Sequence, residues 1–180
     1  MTTNSYPIEP IGRVISPFKE KFGIPRQPQL CQLPCSIELV GKANDPECLR
    51  GIAQHSHIWV LFLFHQNLAQ GWKPLVRPPR LGGNDKLGVF ATRSSFRPNG
   101  IGMSAVKLLN VTRQNGKCLL EVDGLDLVDG TPVIDIKPYI PYSDRIAEAS
   151  SEWAAEPPAS QLDVEFSLDI QRQLDALEHQ

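Results

Sequence analysis

The segment SHIWVLFLFHQ, residues 56–66, decides how the rest of this 180-residue chain is interpreted. Residues 58–64 form an unbroken apolar run that is rich in β-branched and aromatic side chains and is flanked by His57 and His65. A run of this length is too short for an ordinary buried helix or for a membrane-spanning helix. It therefore predicts a β-strand that is buried on both faces.

Shorter β-prone segments precede and follow this strand, and turn residues separate them. The Asn115-Gly116 pair stands between two of these segments, and both residues tolerate the positive φ values of a tight hairpin. Helical periodicity is missing until the end of the chain. We therefore expect a mainly β fold, a barrel or a strongly curved sheet over residues 6–145, with strands at residues 8–15, 36–40, 58–64, 87–92, 103–112, 117–122 and 131–139.

The last part of the chain has a different composition. Residues 147–160 are rich in Ala, Ser, Glu and Pro, which is typical of a linker or a loosely packed loop. Ser167 can cap a helix that has Asp169 in its favourable first turn, and apolar side chains then recur at helical spacing. Residues 146–180 are therefore predicted to form a linker and a C-terminal helix with an apolar stripe of Ile170, Leu174 and Leu177.

The composition is that of a globular protein, with 41% hydrophobic and 21% charged residues. The N-terminus lacks the pattern of a signal peptide, so we expect a cytoplasmic protein that does not bind membranes. A zinc site is conceivable, because His55 and His57 follow some of the cysteines, but paired CxxC spacings are missing. We expect no metal and reduced thiols at Cys31, Cys35, Cys48 and Cys118.

Charge is distributed unevenly along the chain. Eleven acidic residues lie between residues 120 and 165, where only Lys137 and Arg145 oppose them. A basic block precedes them, in which only Asp85 is acidic. This block is either a surface for phosphates or a carboxylate, or a solvated face, and its basic members are Lys73, Arg77, Arg80, Lys86, Arg93, Arg97 and Lys107.

Three loops have compositions that folding alone explains poorly. In KEKFGIPRQPQL, residues 19–30, prolines stiffen a loop that can hold Arg26 and Gln27 outward. RPPRLGGN, residues 77–84, and TRSSFRPNGIG, residues 92–102, combine arginines that suit carboxylates and phosphates with glycines that admit a ligand close to the backbone. The ordinary explanations remain open: residues 19–30 as a rigid connector, and the arginines of residues 77–84 and 92–102 as surface residues.

The third loop, GLDLVDGTPVIDIKPY, spans residues 124–139 and enters the last predicted strand. Alternation along that strand predicts that Val133, Asp135, Lys137 and Tyr139 share one face, opposite Ile134 and Ile136. A carboxylate, an ammonium and a phenol on one face suit proton transfer or a polar ligand. The alternative is an exposed polar face with an ion pair. His65 and Gln66 form a further polar pair directly after the apolar run, and the ordinary explanation of His65 is a core histidine with its hydrogen bonds satisfied.

Five motifs occur in an order that makes the sequence recognisable: PRQP, SHIWVLFLFHQ, VRPPRLGG, GVFATRSSFRPNGIG and LDLVDGTPVIDIKPY. Together they resemble the TsaA/YaeB family, the TrmO-type tRNA methyltransferases, over residues 8–177. The resemblance implies a β-barrel enzyme that uses S-adenosylmethionine. Its substrate would be the threonylcarbamoyl-modified adenosine 3′ of the tRNA anticodon, methylated at N6. It also implies a homodimer with the cofactor near the subunit interface, and a second domain of which residues 146–180 would be the truncated start.

The resemblance also implies roles for individual residues. The catalytic candidates are Asp135, Lys137 and Tyr139, of which Asp135 or Tyr139 would accept a proton, and the substrate contacts are assigned to Arg77, Arg80, Arg97 and Asn99. The cofactor contacts are assigned to Pro25, Arg26, Gln27, His65, Gln66, Arg93, Met103, Asp129, Gly130, Thr131 and Pro132.

Two other classes of function stay open at this point. The basic loops alone would suffice for a non-catalytic RNA-binding barrel, and the polar loops would suffice for a module that senses S-adenosylmethionine. No GxGxxG sequence opens a helix after a strand, so a Rossmann-type cofactor site has no support.

Overall fold

The computed structural model describes residues 4–156 and 165–178. Within them, most of the regular structure is β, and eight short 3₁₀ turns occupy the connections. Two α-helices are described, α1 (Pro141–Asp144) and α2 (Leu168–Glu178). The strands are β1 (Gly12–Ile15), β2 (Pro34–Leu39), β3 (His57–Leu63), β4 (Leu75–Val76), β5 (Leu87–Gly88), β6 (Ile101–Gln114), β7 (Lys117–Asp123) and β8 (Pro132–Pro138).

Six of these strands close into an antiparallel barrel in the order β1-β2-β7-β6-β3-β8. The barrel closes where Gly12 of β1 pairs with Val133 of β8. Alternate side chains of the strands fill its interior with aliphatic residues, and Ile37, Ile58, Val60 and Leu120 are fully buried there. The prediction of a mainly β, barrel-like fold is confirmed.

The decisive strand β3 is buried on only one face, so the prediction of burial on both faces is wrong. Ile58, Val60 and Phe62 point into the barrel, whereas the side chains between them are partly exposed on its outer surface. These outward side chains are nevertheless apolar. Barrel strands usually alternate apolar and polar residues. An apolar outer face therefore indicates that this face contacts a ligand or another part of a protein.

Several predicted strand boundaries shift because of prolines and turns. The first strand begins at Gly12 rather than at residue 8, since Pro7 and Pro10 have no N–H to donate to a ladder. The segment 87–92 contributes only β5, which pairs with β4 in a small separate sheet, before a 3₁₀ turn begins at Val89. The hairpin at Asn115 and Gly116 is confirmed, with φ of 51° and 78°.

A β-bulge in β8 changes the predicted strand face. Pairing with β3 shifts register between Leu61, which faces Asp135, and Phe62, which faces Val133. Ile134 is therefore the extra residue, and alternation breaks there. Val133 is fully buried in the core and does not share a face with Asp135, contrary to the strict alternation predicted for residues 133–139.

Gly100, just before β6, and Gly102, within β6, lie against neighbouring side chains. A Cβ at Gly102 would lie 2.5 Å from the ring of Phe62, and one at Gly100, which has a φ of 60°, would lie 2.4 Å from Leu68. Glycine at these positions thus allows close contact with Phe62 of β3 and with Leu68, which follows that strand. Gly82 and Gly83 have positive φ and open space around them, as turn residues do.

Residues 147–180 form a compact unit of their own. Its described part contains turns at residues 152–156 and α2, in which Ile170, Leu174 and Leu177 are 42%, 36% and 65% exposed. The end of the predicted linker, residues 157–160, lies outside the described residues. Among residues 4–156 and 165–178, no helix has the length and apolar character needed to span a membrane.

Candidate functional site

A cavity of about 800 Å³ lies on the outer surface of the barrel, over β3 and β6. Its walls come from the segments 21–29, 63–67, 92–97 and 126–131. The volume is in the range of small-molecule and cofactor sites. The predicted site residues that line it are Pro25, Arg26, Gln27, His65, Gln66, Arg93, Met103, Thr131 and Arg97.

The floor of the cavity explains the apolar outer face of β3. Trp59 and Leu61 of β3 lie beside Ala105 and Met103 of β6 in the strand register, and all four line the cavity. Met103 is 54% exposed, which is high for a large apolar side chain. This surface offers an apolar platform on which a flat ring can pack while leaving polar groups to the loops.

The first polar wall is the loop that carries the PRQP sequence. Gln29 fixes its end, because its N–H donates to the carbonyl of Gly124 at 2.9 Å and its side-chain amide donates to the carbonyl of Ala105 at 3.3 Å. Lys21 donates to the side chain of Asn67 near the other end of the loop. The loop is therefore anchored on both sides of the cavity.

The guanidinium of Arg93 connects this loop to the opposite wall. Its Nη1 donates to Oε1 of Gln27 over 2.7 Å, while Arg93 itself remains exposed. Arg26, the residue before Gln27, and Arg97 also line the cavity. Guanidinium groups suit a carboxylate or a phosphate, because their planar forks can donate two parallel hydrogen bonds.

A partly buried carboxylate, Asp126, also lines the cavity, and the sequence interpretation did not select it. Burial raises the pKa of Asp126, although a 2.7 Å hydrogen bond from the hydroxyl of Ser104 and the positive charge of Arg93 act in the opposite direction. Ser104 is 2% exposed. A carboxylate held in a cavity in this way can accept hydrogen bonds from a ligand's hydroxyl or ammonium groups.

The signal for Asp126 was present in the sequence. It stands between Leu125 and Leu127, and both leucines are buried. An acidic residue between two core residues must either find a partner or face a cavity, because an unpaired buried charge is costly.

The turn at residues 129–132 lies mostly behind the cavity. Asp129 accepts hydrogen bonds from the N–H of Ser16 at 3.0 Å and from Lys19 at 2.7 Å, and these interactions lower its pKa. Gly130 donates to the carbonyl of Val14. Of the four residues assigned to the cofactor in this turn, only Thr131 lines the cavity, whereas Asp129, Gly130 and Pro132 do not.

The three catalytic candidates stand one strand away from the cavity floor. Asp135 and Lys137 form an ion pair of 3.0 Å on β8 and are the register neighbours of Leu61 and Trp59. The ring of Tyr139 lies 5.6 Å from that of Trp59. None of the three lines the cavity itself, so they border the platform from outside.

The substrate candidates are dispersed. Arg97 lines the main cavity and donates to the carbonyl of Thr92 at 3.2 Å, whereas Arg77 lines a second cavity of about 470 Å³. Asn99 has a φ of 62° in the turn Pro98–Gly100, and Arg80 belongs to the turn Pro79–Leu81. Neither of the last two lines a described cavity.

The thiols give no metal site within the described residues, where no group of three His, Cys, Asp or Glu side chains is placed to hold an ion. All four cysteines are free. Burial raises the pKa of the Cys35 thiol, which favours its protonated form.

The fold is a closed antiparallel barrel, and its outer-face cavity has an apolar floor and walls that carry Arg, Gln and Asp. These features define a small-molecule binding protein without a Rossmann fold. The family described as tRNA-methyltransferase O N-terminal domain matches residues 13–145. The chain belongs to this family. The resemblance drawn from the sequence motifs is confirmed.

Individual relatives agree with this assignment. An Escherichia coli protein named tRNA (adenine(37)-N6)-methyltransferase is 48% identical over 176 residues, which are 97% of this chain and 75% of that protein. A Pseudomonas aeruginosa protein, provisionally named as an S-adenosylmethionine-dependent methyltransferase, is 52% identical over 157 residues, or 87% of this chain and 64% of its own length. A crystal structure of TrmO superposes with a TM-score of 0.78 at 45% identity, covering 98% of this chain and 74% of that one.

Proposed function

We propose that this chain binds S-adenosylmethionine in the outer-face cavity and methylates N6 of the adenosine immediately 3′ of the anticodon in tRNA, at position 37. The cavity over β3 and β6 carries the proposal, because its lining combines the apolar floor, three guanidinium groups and a partly buried carboxylate. The names of the E. coli and P. aeruginosa relatives supply the reaction class. We place this activity in the cytoplasm, where tRNA is used.

The donor set of the cavity fits the cofactor's functional groups. Trp59, Leu61 and Met103 present an apolar surface for an adenine ring. Arg93, held by Gln27, can pair with the carboxylate at the other end of the molecule. Asp126 can accept hydrogen bonds from ribose hydroxyls or from the ammonium group.

When bound, S-adenosylmethionine supplies an electrophilic methyl carbon. Transfer breaks the carbon–sulfur bond, forms a carbon–nitrogen bond at N6 and releases the N6 proton. Positioning accounts for most of the catalysis in such a displacement. The anchored loop with Arg26 and Gln27 and the packed floor serve this purpose, because they fix the shape of the cavity.

Asp135 and Tyr139 remain our candidates for accepting the N6 proton. Asp135 on β8 is the register neighbour of Leu61, and the ring of Tyr139, which follows β8, lies beside that of Trp59, so an acceptor base at the edge of the platform would meet them. Lys137 would hold the Asp135 carboxylate in position through their 3.0 Å ion pair. The threonylcarbamoyl group of the modified adenosine gives the acceptor a carboxylate that Arg97 or Asn99 could contact.

A homodimer is part of the proposal. The cavity lies on the outer face of the barrel, so one side of a bound cofactor would face solvent, and Met103 at its floor is 54% exposed. A second subunit placed over this face would cover both. Sedimentation should give twice the mass of a 20.0 kDa chain, and a monomer that still binds the cofactor fully would contradict this part.

The activity is tested by transfer of a radiolabelled methyl group to three tRNAs. These carry threonylcarbamoyl-modified adenosine, unmodified adenosine or guanosine at position 37. We expect label only in the first and its loss with Arg93→Ala. RNA binding that ignores the cofactor would favour a non-catalytic barrel, and cofactor binding without transfer to any tRNA would favour a sensing module.

A further inference from the structure

The second cavity, of about 470 Å³, is a basic pocket next to the cofactor cavity. It lies between the β4–β5 hairpin and the loop 94–96, and we call it the hairpin pocket. The polar and aromatic side chains that line it are Lys73, Arg77, Lys86, Ser94, Ser95 and Phe96. Three cations and two hydroxyls converge there, without a carboxylate in the lining.

The cations of this pocket are available to a ligand. In the described part of the chain, no ion pair involves Lys73, Arg77 or Lys86. Lys73 instead places its Nζ 5.1 Å from the ring centroid of Phe96. Like charges that converge without carboxylates repel one another, and a bound polyanion would relieve this repulsion.

The pocket is connected to the cofactor cavity through one residue. Ser95 lines both cavities, and its hydroxyl accepts a hydrogen bond from the side chain of Asn67. The pocket's own backbone is fixed as well, since the N–H of Lys73 donates to the carbonyl of Phe96 at 3.2 Å. A polymer that reaches into the cofactor cavity would therefore pass directly beside these cations.

We propose that the hairpin pocket binds phosphates of the tRNA strand that flank the methylated nucleoside, with Phe96 available to stack on a neighbouring base. This inference rests on the proposed function, because it takes tRNA as the polymer. Phosphate contacts by Lys and Arg position a nucleic acid without reading its sequence. An aromatic side chain among cations is the usual arrangement for single-stranded nucleic acid, such as an anticodon loop.

The test replaces Lys73, Arg77 and Lys86 together with Ala in the full chain. The matched control is the triple variant of Lys42, Arg113 and Lys117, which removes the same side-chain types. Arg113 and Lys117 lie near the other end of β6, roughly 30 Å along the strand from the cavity floor. Binding of threonylcarbamoyl-modified tRNA is measured over a series of salt concentrations, and S-adenosylmethionine binding is measured by titration calorimetry.

We expect the pocket variant to bind tRNA roughly tenfold or more weakly at moderate salt. The slope of log affinity against log salt should become shallower by about 2, since each lost phosphate contact removes roughly 0.7–0.9. Cofactor affinity should stay within twofold of wild type, and the control should change neither quantity. Single variants Arg77→Gln and Lys86→Gln should each give about a third of the change in slope.

Equal slopes in the pocket variant and the control would overturn the inference while leaving the proposed function intact. Loss of cofactor binding in the pocket variant, with the fold preserved by circular dichroism, would also overturn it, because the pocket would then not be separate. A wild-type chain that neither methylates nor binds tRNA would overturn the proposed function and this inference together.

Discussion

Asp126 and Asp129 are three residues apart on one loop, yet their surroundings shift their pKa values in opposite directions. Burial beside the cofactor cavity raises the pKa of Asp126, and hydrogen bonds from Lys19 and the backbone of Ser16 lower that of Asp129. Asp126 faces the place where a ligand would bind, whereas Asp129 ties the loop to the end of β1. One loop thus carries two carboxylates with different roles. The ionised Asp126 faces the ligand and destabilises the fold, whereas the ionised Asp129 stabilises it.

The largest expected effect comes from the cation on the ligand side. Arg93→Ala should weaken S-adenosylmethionine binding about 10- to 100-fold, because a charge-assisted pair with a carboxylate contributes roughly 1.5–3 kcal/mol. Titration calorimetry measures this affinity. Lys19→Ala, which removes the cation beside Asp129, and Lys86→Ala should leave it within twofold. Equal losses in all three variants would indicate a general electrostatic effect rather than a defined site.

The two carboxylates themselves give the next effect. Asp126→Asn should weaken cofactor binding about tenfold, since a neutral amide replaces a charged acceptor. Its stability to urea at pH 8 should equal or exceed that of wild type, because a partly desolvated charge is removed. If Asp126→Asn left cofactor affinity unchanged, the carboxylate would be a packing feature and the assignment of the cavity side would be wrong.

Asp129→Ala should show the reverse behaviour. It removes the acceptor for Lys19 and for the N–H of Ser16, so the free energy of unfolding should fall by about 1 kcal/mol. Cofactor affinity, measured well below the melting temperature, should remain within twofold. A strong loss of affinity with unchanged stability would place Asp129 in the cofactor site after all.

The smallest expected effect is on the pH dependence of the free energy of unfolding, which should differ between variants of Asp126 and Asp129. The lowered pKa of Asp129 stabilises the fold above the unfolded pKa of about 3.9, and this contribution is lost as pH falls. The raised pKa of Asp126 acts oppositely, so its stabilisation is present at low pH and is lost as pH rises through the folded pKa. In urea unfolding between pH 3 and pH 7, the free energy of unfolding of Asp126→Asn should rise relative to that of wild type as pH rises. That of Asp129→Ala should fall relative to wild type.

The strand pattern could be predicted from the sequence because each strand follows local rules. Asn115-Gly116 specifies a hairpin by backbone conformation alone, and the structure forms it there. The apolar run at residues 58–64 predicted the strand correctly, but it did not show that one face of the strand is partly exposed. A ligand platform and a core demand the same side chains, so Trp59 and Leu61 could not be distinguished from buried residues without the barrel.

The site depended on contacts between residues distant in sequence, which local patterns do not contain. Arg93 and Gln27 meet across 66 positions, and Ser104 finds Asp126 from a neighbouring strand. The bulge at Ile134 likewise arises from pairing with β3 and redirects Val133 into the core. Eight of the eleven residues that the family resemblance assigned to the cofactor line the cavity, but only the fold separated Thr131 from Asp129.

The most direct measurement is isothermal titration of the folded full chain with S-adenosylmethionine and with its demethylated product. The account predicts saturable heat with one molecule bound per subunit. It also predicts a rise in melting temperature with ligand concentration, because a ligand that binds only the native state stabilises it. Absence of both heat and thermal shift with either compound would contradict the assignment of the outer-face cavity as a cofactor site.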